Sequence, residues 1–435
     1  MAGDAVIDAP RLQRLDPSLG KGPFGSVLAA LGGIGAEDEW VVEGRATRYG
    51  IVGDGYAMDG RWEVTPLETA SYVTRMLVVR PAADAFNGTA VVVWNNVSGG
   101  FDGMYAGPDT VGMVRDGYAV VGVSAQKVGI DGPAGMKSVD GDRYRQLDHP
   151  GNDYSYDIFR QAVAAVRGPL DGLDVRHVVA AGASQSACRL ATVHNAFHAG
   201  SGIDAYVLVV YAGNGTHIDT TTPVPGFEEV PDNATVSILP FRSHRLRDDL
   251  DVPVFVLNSE TEASLFTANR QPDTDRLRIW ENPGTSHVGL GTAVGPSMGG
   301  PVPCAGRFGH SLRAAYAHLQ RWLDDGVRPP SMPRIARTPD GGVERDEHGN
   351  ALGGIRWPHV VAPLAIHRGE PKPGPLDLMG SSIPFDAATV ASLYASRDDY
   401  LSRCRAAVDD LVAAGVILPD DAPAVLEMAD ATPWP

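Results

Sequence analysis

The chain has 435 residues, 43% hydrophobic and 20% charged, an ordinary soluble composition and long enough for one large core with elaborations. Its formal net charge of −17, with no Lys/Arg cluster to offset it, disfavours nucleic acid and anionic membranes as partners. The longest apolar runs, such as Thr89–Trp94 and Val178–Ala181, are strand-sized, so no membrane span is expected and a small-molecule enzyme or a binding protein remains.

Met1 to Gly20 has no basic stretch followed by an apolar one, so no secretory leader is expected. Cys188, Cys304 and Cys404 are widely spaced, which fits a reducing compartment and argues against a disulfide framework or zinc ribbon. A cytoplasmic location follows, and the N-x-S/T triplets at Asn87, Asn96, Asn214 and Asn233 then carry no glycosylation meaning. Gly20–Val27 (GKGPFGSV) has the outline of a kinase glycine-rich loop. The next lysine after Lys21 is Lys127, however, and neither HRD nor DFG occurs, so the stretch reads as a flexible loop.

The first clear alternation is Glu39–Tyr49, and Arg61–Arg80 reads as one or two β-rich stretches. Gly88–Trp94, Gly117–Ser124, Arg176–Ala181, Ala205–Tyr211, Val252–Leu257 and Arg276–Trp280 follow as apolar, β-branched runs of buried-strand type. Helical patterns lie between them. Tyr156–Arg167 puts Ile158, Phe159, Ala162, Val163 and Val166 on one face, and Ser186–Ala199 and His310–Asp325 are further helices. Strands alternating with helices predict an α/β fold with a mostly parallel sheet, whose ligands bind beyond the carboxyl ends of the strands.

Residues 1–36 read as an N-terminal arm and 37–330 as the catalytic domain, with a cap insertion at about 212–250. From Arg328 to Gly380 proline, glycine and charge dominate, and helical patterns return at Asp386–Tyr394 and Asp399–Ala414. Residues 331–435 are therefore expected to be an extension packed on the catalytic domain, too poor in apolar runs to hold its own core.

Gly182-Ala183-Ser184-Gln185-Ser186 stands directly after a strand and directly before a helix, the context a nucleophile elbow needs. Small residues two positions either side of the serine let strand and helix approach. Gly182 meets that demand, and Ser186 replaces the usual second glycine. An ordinary strand–turn–helix with small residues would read the same way, so the case rests on chain order. With a serine on such an elbow, the partners follow as acid and then histidine, each after a later strand. Val252–Leu257 ends in Asn258-Ser259-Glu260-Thr261-Glu262, and Arg276–Trp280 ends in a Gly/Pro loop reaching His287. Ser184 would attack an acyl carbon, His287 would take and return its proton, and Glu260 or Glu262 would orient the imidazole. The oxyanion needs two backbone N–H donors. Gln185 would supply one and Val97, in the loop Asn95–Gly100, the other.

These stretches resemble the α/β-hydrolase superfamily, and more closely bacterial proteins known only as α/β-hydrolase-domain proteins. WNNVSGG, GYAVVGVSAQKVGIDG, HPGNDYSYDIF, GASQSACRL, VLNSETEA, RQPDTDRLRIWENPGTSH and EHGNALGGIRWP carry the resemblance from about Gly88 to Ala391. It implies the α/β-hydrolase fold with lid insertions, and a Ser–acid–His hydrolase, without implying a substrate. The pattern of other hydrolases favours Glu262 over Glu260, the other glutamate then holding the loop.

Asn95, Asn96, Gln126, Lys127 and Tyr154 could line a substrate pocket or simply hold loops by hydrogen bonds. His149, His194, His198 and His217 lack metal-ligand spacing and Asp340–Asn350 lacks that of an EF-hand, so neither metal nor cofactor is expected. The expectation is a carboxylic-ester hydrolase acting on a small-molecule ester or lactone, with a homodimer left open. Acyl transfer by the same residues, and a non-catalytic binding protein on a hydrolase scaffold, are the alternatives.

Overall fold

A computed structural model describes residues 9–53, 55–105, 110–211, 213–219, 244–265, 270–288, 308–370 and 377–435. Most of the cap insertion expected at about 212–250, and Cys304, lie outside the described residues. Contacts divide the chain into two units, Met1–Val254 and Phe255–Pro435.

The first unit is built on β4 (Thr89–Trp94), whose six residues are all buried. It pairs in parallel with β5 (Ala119–Val123) on one side and β6 (His177–Ala183) on the other, and β6 pairs in parallel with β7 (Ala205–Val209). A strand enclosed on both faces and both edges has no place for a polar side chain, which is why these segments read as unbroken apolar runs. On the β5 side the pairing turns antiparallel: β3 (Val64–Pro81) joins β5, β2 (Gly35–Ile51) joins β3, and β1 (Arg11–Arg14) joins β2. The stretch expected over Arg61–Arg80 is thus one long strand that begins at Val64, and part of the N-terminal arm is an edge strand.

The order β1-β2-β3-β5-β4-β6-β7 has a consequence for function. From β4 the chain moves to β5 on one side, then crosses back to β6 on the other. The loops leaving the carboxyl ends of β4 and β6 are therefore neighbours that depart in different directions, the arrangement that opens a crevice in an open parallel sheet.

The helix Ser155–Ala165 buries the expected Ile158, Phe159, Ala162 and Val163, and also Asp157, Arg160 and Gln161. Its second face is closed by polar contacts. Asp157 accepts from Thr47 N at 2.8 Å, and Gln161 Oε1 accepts from Tyr72 Oη at 2.8 Å.

In the second unit, β8 (Val254–Ser259) and β9 (Leu277–Asn282) are neighbours, each buried throughout. The helix Gly309–Asp325 buries Leu312, Tyr316, Leu319 and Trp322 on one face, as its spacing predicts. The turn-rich stretch folds back on itself through isolated bridges Ile335↔Gly353, Arg337↔Val343 and Arg345↔Ala351. Beyond it, β10 (Ala365–Arg368) pairs with β11 (Ser381–Pro384), and helices Ala387–Leu393, Arg397–Ala413 and Ala422–Asp430 follow. Leu364, Val390, Tyr394, Tyr400, Cys404 and Ala429 form one apolar cluster, with Trp434 packed against it. The tail therefore assembles apolar packing from residues scattered singly over some seventy positions. No helix among the described residues is long and apolar enough to cross a membrane.

Candidate active site

Ser184 follows β6 and immediately precedes the helix Gln185–Thr192. Its backbone is at φ 61° and ψ −124°, and among the described residues only Ser184 and Val210 are non-glycine residues at positive φ. The two positions are adjacent at the ends of neighbouring strands, since Ser184 N donates to Val209 O at 2.9 Å. Such a conformation costs about 1–3 kcal/mol per residue and persists where the surrounding packing over-determines it. That packing is tight. A Cβ on Gly182 would lie 3.0 Å from Ser186 Cβ and 3.1 Å from Leu190 Cδ1, so the glycine and the small residue at 186 are required together. Every residue from Val178 to Asn195 is buried except Ser184, which is half-exposed.

The loop after β4 is fastened to this elbow. Asn96 Nδ2 donates to the carbonyl of Ala183 at 2.9 Å, while Asn96 Oδ1 accepts from Ser98 N at 2.8 Å. Val97 is buried and opens a turn closed by Gly100 N donating to Val97 O at 2.9 Å, with Gly100 at φ 77°. Asn95 Nδ2 donates to Asp102 Oδ2 at 2.6 Å, and Ser124 Oγ donates to the same oxygen at 2.8 Å. Burial pushes the Asp102 carboxyl up, against the pull of the Arg75 guanidinium at 3.5 Å. Gln126 Oε1 accepts from Trp94 Nε1 and from Gln185 Nε2, each at 3.0 Å, so Gln126 ties β4 to the elbow helix. The hydrogen bonds of Asn95, Asn96 and Gln126 thus bind loop to loop.

Lys127 Nζ donates to His149 O at 2.9 Å, and Lys127 N donates to Asn152 Oδ1 at 3.1 Å. Tyr154 is half-buried, and its phenol is pushed up by burial and by Glu68, with Arg48 opposing.

In the second unit, β8 runs directly into the short helix Glu260–Leu265, while β9 runs into the loop carrying His287. Three consecutive residues of the first segment grip the second. Glu260 Oε2 accepts from Gly284 N at 2.7 Å, Thr261 Oγ1 accepts from His287 N at 3.0 Å, and Glu262 Oε1 lies 2.6 Å from His287 Nδ1. The other Glu262 oxygen accepts from Ser259 N at 3.1 Å and Ser259 Oγ at 2.5 Å. Burial alone would raise the Glu262 pKa. The neighbouring His287 charge, with the hydrogen bonds from His287 and Ser259, outweighs it and holds the carboxyl below its ordinary value. Glu260 has different company: its Oε1 accepts from Arg345 Nη2 at 2.7 Å and Gly369 N at 3.1 Å. One glutamate faces the imidazole, and the other pins the loop's start to the C-terminal segment.

Asp102, Thr261 and Arg345 escaped sequence reasoning. Asp102 belongs to a Phe-Asp-Gly stretch that reads as a turn, and Arg345 lies in a charge-rich segment with no motif. The two acidic residues that flank Thr261 were the available signal for that segment.

A serine held at positive φ between a buried strand and a helix, in a chain that also carries a histidine on a buried carboxylate, is the local architecture of α/β hydrolases. Residues 9–427 match the family model described as alpha/beta hydrolase domain, and the chain belongs to that family, with its large, mostly parallel sheet flanked by helices. Among solved structures, the chain is similar to a glucuronoyl esterase from Solibacter usitatus, at 10% identity over 64% of this chain and 82% of that one, with a TM-score of 0.32. It is also similar to a candidate acetyl xylan esterase from Bacteroides fragilis, at 13% identity over 63% of this chain and 71% of that one, with a TM-score of 0.32. Among curated proteins none matches the chain.

Proposed function

We propose that this protein is a serine hydrolase that cleaves carboxylic esters through an acyl-enzyme on Ser184. The observation that carries the reading is the backbone of Ser184, a strained and accessible residue inside an otherwise buried strand–turn–helix. Strain concentrated at a half-exposed serine fits a nucleophile whose Oγ is presented ahead of the helix N-terminus. The short distance between His287 and buried Glu262 supports the second half of the reading.

In this mechanism His287 Nε2 takes the Ser184 proton as Oγ attacks the ester carbonyl carbon. The carbonyl π electrons move onto oxygen, and the N–H groups of Gln185 and Val97 receive that charge. Gln185 opens a helix, where backbone N–H groups lack intrahelical partners and the dipole favours an anion. Collapse of the intermediate breaks the ester C–O bond, and the imidazolium protonates the departing alkoxide. Water, deprotonated by the same imidazole, then releases the acid and restores Ser184. Glu262 holds the Nδ1–H tautomer and offsets the imidazolium charge throughout.

A fluorophosphonate probe tests the nucleophile directly. Folded protein should be labelled on Ser184, and the Ser184→Ala variant should neither be labelled nor turn over p-nitrophenyl acetate. Retained turnover in that variant overturns the reading.

A further inference from the structure

The C-terminal segment encloses a cavity of about 350 Å³ that the proposed chemistry does not use. Its size is at the lower end of those that hold small organic ligands. The lining is predominantly apolar, and its aromatic members have their polar atoms engaged elsewhere. Trp357 Nε1 donates to Asn282 Oδ1 at 2.9 Å, and Tyr400 Oη donates to Ala429 O at 3.1 Å, so both contribute carbon surface. Met428, Thr432 and Pro433 on the lining are exposed or half-exposed, giving an opening to solvent.

One polar group stands apart. His367 is buried on β10, and its Nδ1 lies 2.8 Å from Ser382 Oγ on β11. Its other ring nitrogen has no hydrogen-bond partner among the described residues, although the residue lines the cavity. His359, in contact with the His367 ring at 5.2 Å, uses Nε2 on Pro283 O at 3.2 Å. Burial drives both imidazoles down, His359 to about 3 and His367 to about 4, so both are neutral near pH 7. A ligand hydroxyl in the cavity would supply the partner that this nitrogen lacks among the described residues.

We infer that this cavity is a binding site for a small neutral aromatic or cyclic alcohol, its ring against Trp357 and Tyr400 and its hydroxyl on Nε2 of His367. The hydroxyl follows from the tautomer. Ser382 can serve as donor or acceptor to Nδ1, leaving Nε2 a donor or an acceptor, and a hydroxyl group satisfies either. A carboxylate would enter a predominantly apolar lining beside two neutral imidazoles, and His310, also on the lining, already lies 3.4 Å from the Asp421 carboxylate.

Equilibrium binding of 2-naphthol to the full chain tests this, with 2-naphthoate as the charged match. Saturable one-site binding of 2-naphthol is expected, at least tenfold tighter than 2-naphthoate and unchanged in Ser184→Ala. Ala429→Trp should weaken it at least tenfold by filling the cavity. Thr432→Trp, at the half-exposed rim, repeats the test with less demand on folding, and a thermal melt verifies both variants. His367→Phe should weaken 2-naphthol while sparing naphthalene. Absent saturation, equal affinity for the two naphthyl probes, unchanged affinity in a folded cavity-filling variant, or loss of binding in Ser184→Ala would each overturn the assignment.

Discussion

Nδ1 of His287 lies 2.6 Å from Oε1 of Glu262, a carboxylate with no solvent exposure. Two residues earlier, Glu260 is equally buried but faces Arg345. Both glutamates lie on the same short turn, yet one meets an imidazole and the other a guanidinium, and their replacements should fail differently.

Glu262→Gln should lower kcat for p-nitrophenyl acetate by about 10⁴ while leaving the fold intact, because the amide favours the wrong imidazole tautomer. Glu260→Gln should instead cost stability, about 3 kcal/mol for a broken buried ion pair, with a much smaller loss of kcat at a temperature where the variant is folded. Steady-state kinetics beside urea melts separates the two. A larger kcat loss in Glu260→Gln would reverse the assignment.

Ser184 at φ 61° should show a trade between stability and activity. Ser184→Ala and Ser184→Gly should both lose turnover, by about 10³-fold or more. Only the glycine relieves the backbone strain, so Ser184→Gly should be the more stable of the two by about 1 kcal/mol in chemical denaturation. Equal stability would mean that the elbow is unstrained.

Gly182→Ala places a methyl group 3.0 Å from Ser186 Cβ, with backbone close behind. The helix Gln185–Thr192 must then shift away from β6. We expect a loss of about 1–3 kcal/mol in stability and a fall in kcat larger than any change in KM. A thermal melt and a Michaelis curve suffice to check it.

His359 and His367, held down to about 3 and about 4, make stability depend on acid. Above pH 6.5 both are neutral in folded and unfolded chains alike and contribute no slope. Between pH 6.5 and about 4 the unfolded chain binds protons that the folded chain refuses, so stability falls as pH falls, by about 1.4 kcal/mol per unit for each histidine. The Glu262 contribution is present above its ordinary value and is lost only as pH falls through the lower folded value, a more acidic window. Urea melts from pH 7 to 4.5 should show a shallower slope for His367→Phe than for the parent chain, and identical slopes would refute it.

Much of the fold was legible because parallel strands buried on both faces leave unbroken apolar runs. Thr89–Trp94, Ala119–Val123 and Leu277–Asn282 begin or end within two residues of the runs that announced them. The arm strand Arg11–Arg14 was not legible, because an exposed edge strand carries no apolar pattern. The packing within the tail was not legible for a related reason. Its apolar cluster draws on Leu364, Val390, Tyr400, Cys404 and Ala429, single residues on separate elements that no local window joins.

The sequence by itself determined the strand order in the chain, the serine after one strand, and the glutamates and histidine after two later ones, since each is a local pattern next to a strand end. Only the tertiary structure decided which glutamate the imidazole meets, that Asn96 fastens the loop after β4 to Ala183, and that His367 faces a cavity. These are facts of direction. Spacing along a chain specifies which residues come near one another, while the aim of a side chain depends on packing that residues distant in sequence supply.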